Sequence, residues 1–375
     1  MNIGQLIAER RVVVCCGTGG VGKTTTAAAI ALEGARMGRN ACVVTIDPAK
    51  RLADALGLEE LSDTPSEIDP ARWRDGDGSG GRLSALMLDT KSTFDAIVTR
   101  DSASPEQAQR ILDNTFYRNV SGALGGTQEF MAMEKLHELH DQGGFDLIVV
   151  DTPPTRHALD FLDAPGRLIR LLDNRIFRLL MVPTRASLKI AGFAVQAFLR
   201  TVSKVVGSAV IDDVIAFFRA FDGMEDGFRA RAAAVDKLLK DPGTAFVLVT
   251  SPRSDATADA VYFAEKLAER EQSVAALIIN RVHPEFGDES PEGLRARADD
   301  LRAHPGAEPE ASERLAVLYD NLADFRLVAI EERRNLRALL PQIGSTTIAF
   351  VPYLAHDVYD FDALHEIGAT LTSEP

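Results

Sequence analysis

Cysteine is scarce in this chain. Among 375 residues there are three, Cys15, Cys16 and Cys42, too few for a disulfide scaffold. All three sit in apolar runs, which predicts buried thiols in a reducing compartment. Basic charge is also in short supply. Forty-one Lys and Arg face 55 Asp and Glu, a net of −14, which disfavours sequence-blind binding to nucleic acid or to anionic lipid. Long hydrophobic runs are missing as well. No uncharged apolar stretch reaches the ~18 residues that signal a membrane span. The nearest, Ile190 to Leu199, is fenced by Lys189 and Arg200. The opening MNIGQLIAERR lacks a small-residue cleavage site, so a signal peptide is not expected and a cytoplasmic location is. With 46% hydrophobic and 26% charged residues, the composition excludes global disorder. The length suits one large domain with an insertion as well as it suits two domains.

Short β-branched runs recur along the chain. VVVCC at 12–16 is bounded by charge and glycine and reads as a buried parallel strand. Further strands are expected at 41–46, 83–88, 146–150, 245–250, 274–280 and 346–351, with helical patterns between them. Strand alternating with helix predicts an α/β fold, a parallel sheet flanked by helices. Two stretches break the rhythm. Residues 74–82 (RDGDGSGGR) are rich in glycine and charge and read as a loop. Residues 165–240 contain no good strand and read as an inserted α-helical subdomain, which leaves 1–164 and 241–375 as the core. Residues 283–309 are polar and rich in Pro, Gly and acid, and read as a flexible linker within that core.

Gly17-Thr18-Gly19-Gly20-Val21-Gly22-Lys23-Thr24 matches G-x-x-x-x-G-K-[ST], after a strand and opening a helix. Glycines let backbone N–H groups turn inward around phosphates, and the helix N-terminus adds partial positive charge. The expected nucleotide stretch runs from Gly17 to Thr25. Lys23 is expected to reach the β- and γ-phosphates and Thr24 to place its hydroxyl on Mg²⁺. A plain glycine turn would leave Lys-Thr without a packing purpose.

Two acidic residues follow strands in the same way. Asp47, in Asp47-Pro48-Ala49-Lys50-Arg51-Leu52, ends the second strand, where an open α/β sheet faces its ligand crevice. It is expected to position the attacking water beside the metal, and can also cap the next helix. Asp151 follows the apolar run LIVV and reads as the Walker B carboxylate. Thr24, Asp47 and Asp151 form the expected Mg²⁺ set. The prolines after Asp151 stiffen a loop that has to respond to the γ-phosphate.

The compact G-G-V-G-K-T-T loop resembles the deviant Walker A group of dimeric P-loop ATPases. D-P-A-x-x-L at 47–52 and D-T-P-P-T-R-H at 151–157 narrow the resemblance to the ArsA family, with G-T-Q-E-F-M-A-M-E-K-L at 126–136 pointing to a bacterial branch. That family comprises the arsenite-pump ATPase and the targeting ATPase for tail-anchored membrane proteins. The resemblance implies ATP hydrolysis with Mg²⁺, and dimers that close on ATP and open on hydrolysis. It also implies an adenine contact at Asn280, with Pro352 and Tyr353 packing against the base. Ser251-Pro252-Arg253 lacks the Glu that the family usually shows after that proline.

Departures matter too. The family's first loop lysine, which reaches the partner's nucleotide, is Thr18 here. Either another base such as Arg156 serves, or a lysine-bearing paralogue supplies the charge in a heterodimer. The C-x-x-C pair of the zinc-bridged dimers is absent, and arsenite sensing is not expected. His137 and His140 are three apart, not the four of H-E-x-x-H, and read as a helix surface. The apolar residues of 165–240 would be covered by their own neighbours, a dimer mate, or a hydrophobic or membrane-protein client. The first reading is thus an ATP hydrolase handling such a client as a homodimer or heterodimer. The second is a nucleotide-binding regulatory subunit with weak activity alone. A phosphate-transferring metabolic enzyme lacks residues for an acceptor pocket, and a DNA-partition ATPase sits badly with the charge.

Overall fold

The computed structural model describes residues 2–47, 50–74, 80–120, 127–142, 144–173, 223–344 and 346–373, with 213, 216, 217 and 220 between them. The strands are β1 Val12–Cys16, β2 Asn40–Thr45, β3 Ser66–Glu67, β4 Arg82–Met87, β5 Leu147–Asp151, β6 Thr244–Thr250, β7 Val274–Val282 and β8 Thr347–Pro352. They form one sheet in the order β3-β4-β2-β5-β1-β6-β7-β8. Every neighbouring pair is parallel except β3 with β4.

Pleating explains why the strands are apolar on both faces. In β1, Val12, Val14 and Cys16 enter one core layer while Val13 and Cys15 enter the other. The helix Lys23–Arg36 covers the second layer together with Ile3–Glu9 and Phe361–Thr372. The first layer lies under helices that include Thr127–Gln142, Thr155–Asp173, Glu225–Leu239 and Ser254–Ala268. The chain runs from β1 to β2, returns to β5 between them, then crosses to β6 on the other side of β1. That reversal opens a crevice at the C-terminal ends of the central strands.

The three cysteines are buried in the sheet. Burial pushes Cys16 and Cys42 up to about 12, so these thiols stay protonated at neutral pH.

Two expectations meet a different structure. The stretch 283–309 contains the helix Pro291–Ala303, started by a Ser290 side chain that accepts from Gly293 N–H. It buries Leu294 and Ala298 and is bound to the 35-residue helix Pro309–Ile343 through Arg295–Asp324 and Arg302–Asp320 pairs at 2.9 and 2.6 Å. The boundary expected at 165 falls inside a helix, because Thr155–Asp173 continues through Pro165. Most of the expected insert, 174–212 and several positions up to 222, lies outside the described residues.

The helix after that region is anchored by charge. Arg231 meets Glu134 at 2.7 Å and Asp101 at 2.5 Å, and Arg100 adds a 3.7 Å contact to Glu134. Burial pushes Glu134 above the usual carboxylate range, against the pull of Arg231. Removing Arg231 leaves the buried Glu134 with only the 3.7 Å contact from Arg100, which Asp101 shares at 2.9 Å. Arg231→Met is therefore expected to cost about 3–5 kcal/mol in urea unfolding, and an unchanged midpoint would show the cluster to be solvated.

Candidate active site

The loop after β1 takes its shape from steric pressure. A Cβ on Gly17 would lie 2.0 Å from the Val249 carbonyl oxygen, and one on Gly22 would lie 2.2 Å from Asn280 Nδ2, with φ of 93° at Gly22. Both positions therefore need glycine. Gly22 is the N-cap of helix Lys23–Arg36 and gives it no side-chain cap. The first N–H groups of that helix are left to face the crevice, the arrangement that suits an anion. Gly19 and Gly20 are exposed at the tip, Val21 is buried in the core, and Thr18, Thr24 and Thr25 are half-buried.

Lys23 is 8% exposed, and its ammonium donates to the Thr18 carbonyl at 2.8 Å. Burial lowers its pKa, with Asp151 opposing that shift. An ammonium has three donors, so one bond to the loop leaves two for a phosphate. Thr24 Oγ1 donates to Asp151 Oδ2 at 2.7 Å, and Thr45 Oγ1 donates to the same oxygen at 3.0 Å. Asp151 is 1% exposed and its Oδ1 is buried with no partner. Burial raises its pKa above the ordinary carboxylate range. A buried carboxylate with one oxygen unsatisfied, next to a threonine hydroxyl, fits a hard cation held partly through water. Thr24 and Asp151 could hold Mg²⁺ in this way.

Asp47 sits at the end of β2. Its N–H donates to Thr45 Oγ1 at 3.3 Å, and its carboxylate pairs with Arg51 at 3.4 Å. It is close enough for its charge to act on both Lys23 and Asp151. Pro48 and Ala49 lie outside the described residues. So do the side chains of Thr155, Arg156 and His157 at the start of helix Thr155–Asp173.

Asn280 ends β7, and its amide is engaged within the protein. Nδ2 donates to Val21 O at 2.8 Å, and Oδ1 accepts from Arg281 N–H at 2.9 Å. Arg281, at φ 62°, donates to Gly20 O at 2.9 Å. The strand end thus holds the phosphate loop from the side. Pro352 and Tyr353 lie one strand further, with Tyr353 N–H on Val282 O at 2.9 Å and its exposed ring stacked on His283 at 5.1 Å.

Sequence reasoning missed four residues of this site: Thr45, Arg51, Gln128 and Arg281. Gln128 donates to Ile46 O at 2.8 Å, tying the start of helix Thr127–Gln142 to the β2 end that carries Asp47. The G-T-Q motif could have pointed to it. The other three carried no local signal beyond their neighbours in the motifs.

Comparison with known proteins fits this geometry. The family model described as an anion-transporting ATPase, ArsA_ATPase, matches residues 10–304. An ATPase ASNA1 homolog of Cryptosporidium parvum is 23% identical over 91% of this chain and 89% of its own. The ATPase GET3 of Malassezia globosa is 28% identical over 43% and 44% respectively. A putative arsenical pump-driving ATPase of Halobacterium salinarum is 31% identical over 43% of this chain and 24% of its own. A family model spanning most of the chain, on a sheet with a phosphate loop at its crevice, makes this protein a member of the ArsA family of ATP-hydrolysing enzymes.

Proposed function

We propose that this chain hydrolyses ATP with Mg²⁺ and uses the cycle to open and close a dimer around a hydrophobic or membrane-protein client. The observation that carries the reading is the Lys23–Thr24–Asp151 arrangement beside an uncapped helix start, with Asp151 Oδ1 left without a partner. Mg²⁺ would neutralise charge on the phosphates. The loop N–H groups and Lys23 bind and orient the triphosphate. Thr24 and Asp151 hold the metal, and Asp47 orients water toward the γ-phosphate from the metal side. Asn280 would offer adenine its remaining donor and lone pair, and Tyr353 its ring, while both keep their present bonds. A cytoplasmic setting and nucleotide-dependent dimer closure belong to the same reading. No described helix is long and apolar enough to cross a membrane. Arsenite is disfavoured as cargo, since protonated buried thiols are poor ligands.

A second reading rests on Thr18. Its position is where the ArsA resemblance expects the lysine that reaches across the dimer. A transition-state cation supplied in trans is worth roughly 10³–10⁵ in rate. The chain alone is then a slow hydrolase, or a regulatory subunit completed by a lysine-bearing paralogue. Phosphate release measured alone and with such a paralogue separates the readings. Turnover of the isolated chain equal to that of a lysine-bearing relative would sink the need for a partner.

Asp47→Asn is expected to lower kcat by about 10²–10⁴-fold while an ATP analogue still binds. Equal turnover by this variant would remove Asp47 from the chemistry. The trapped variant also serves as bait, and retention of a membrane protein would identify the client class.

Gly22→Ala tests the loop. The new Cβ meets Asn280 and keeps an unfavourable φ, so analogue binding is expected to weaken at least about ten-fold. Adding Asn280→Ala removes the clash but not the strain, so the double variant should recover only part of that loss. Additive losses in the two variants would show that the sites are independent.

A further inference from the structure

Beyond the crevice, the end of the sheet carries a second concavity. Helix Pro309–Ile343 passes over the edge formed by β7 and β8 and leaves a cavity of about 500 Å³, within the ~300–1,000 Å³ typical of small-molecule sites. Leu336 and Leu340 form one wall, one helical turn apart, and Val282, Phe350 and Pro352 form the other. Phe350 is 48% exposed although it stands beside a core layer. Burying such a ring is favourable, and nothing among the described residues covers it fully.

One end of the cavity is cationic. Arg333 and Arg337 stand on the same helix face as Leu336 and Leu340, at i and i+4. Glu285 is paired with Arg333 and lies 3.9 Å from Arg326. The other nearby carboxylate, Glu332, accepts from His283 N–H at 2.9 Å and is bonded to its ring at 2.7 Å. Arg337 is exposed and has no acidic partner among the described residues. In the lining, two guanidiniums thus stand against one carboxylate, Glu285, that is already engaged, in a chain whose net charge is −14. An uncompensated cation at the mouth of an apolar cavity is complementary to a molecule with an anionic head and an apolar tail.

We propose that this cavity binds a medium-chain aliphatic carboxylate, with the head on Arg337 and the tail between Leu336, Leu340 and Phe350. The cavity borders the proposed adenine contacts through Pro352 and His283, but Arg337, Leu336, Leu340 and Phe350, which carry the proposal, are not among those contacts. Its test uses the full chain without nucleotide, so its outcome does not depend on the ATPase reading.

Isothermal titration with dodecanoate, kept below its micelle-forming concentration, is expected to give saturable binding of one molecule per chain. Arg337→Glu should weaken it by at least about ten-fold, since attraction becomes repulsion. Phe350→Ser should also weaken it, and Arg337→Lys should retain most of it. Both positions are exposed, so the variants should melt with the wild-type protein, and matched melting curves confirm this. Acetate should bind far more weakly for lack of a tail, and dodecan-1-ol for lack of a charge. Three results would overturn the proposal: no saturable binding to the wild type, equal affinity for dodecanol, or undiminished affinity in both Arg337→Glu and Phe350→Ser.

Discussion

One carboxylate oxygen joins three separate parts of the chain. Asp151 Oδ2 receives the hydroxyls of Thr24, from the helix after the phosphate loop, and of Thr45, from β2. Withdrawing a carboxylate from water costs several kcal/mol, and hydrogen bonds to a charged group return about 1.5–3 kcal/mol each. The oxygen with two donors is thus largely compensated, and the oxygen without one is not. The site is locally unfinished by design of its geometry, and it stays in register because β1, β2 and β5 lie side by side. Cys15 and Thr45 flank Asp151 in the ladder. The Cys15 carbonyl also accepts from Thr152 Oγ1 at 2.8 Å, which fixes the residue after Asp151.

Much of this arrangement could be read from local sequence. The glycine loop, the strand-end acids and the apolar runs each carry their signal within a few residues, because pleating, positive φ and phosphate geometry act locally. The sheet's central strands stand within a residue or two of where β-branched runs placed them. Three of the four missed residues act at long range, while Arg51 pairs with Asp47 four positions away. Gln128 reaches Ile46 across 82 positions, and Arg281 reaches Gly20 across 261. No local pattern encodes such pairings. The helix Pro291–Ala303 is a different case. Its Ser290-Pro291-Glu292 start is an N-terminal signature, outweighed by a composition that looked like a linker. The two-residue β3 is too short for any periodicity to register.

The missing loop lysine and the side-chain ties around the loop belong together. With Thr18 in place, the nearby charges described here are Lys23, Arg51 paired to Asp47, and Arg281 bound to the loop backbone. Arg51 and Arg281 are engaged inside the chain, while Lys23 keeps two donors for a phosphate. Negative charge developing on the γ-phosphate beyond what Lys23 meets would have to draw one of the two arginines away or meet a cation from elsewhere.

Helix Pro309–Ile343 is about 52 Å long at 1.5 Å per residue. Its C-terminal part is fastened to the sheet by Glu332 on His283 and by Asn335 on the Pro252 carbonyl. Its N-terminal part leans mainly on Pro291–Ala303 and shows Leu315, Leu318 and Phe325 to solvent. The two halves of one helix therefore belong to different cooperative units. Amide protons before about residue 325 should exchange through a shallow, sub-global opening of the helical hairpin, while those beyond residue 332 await unfolding of the sheet itself.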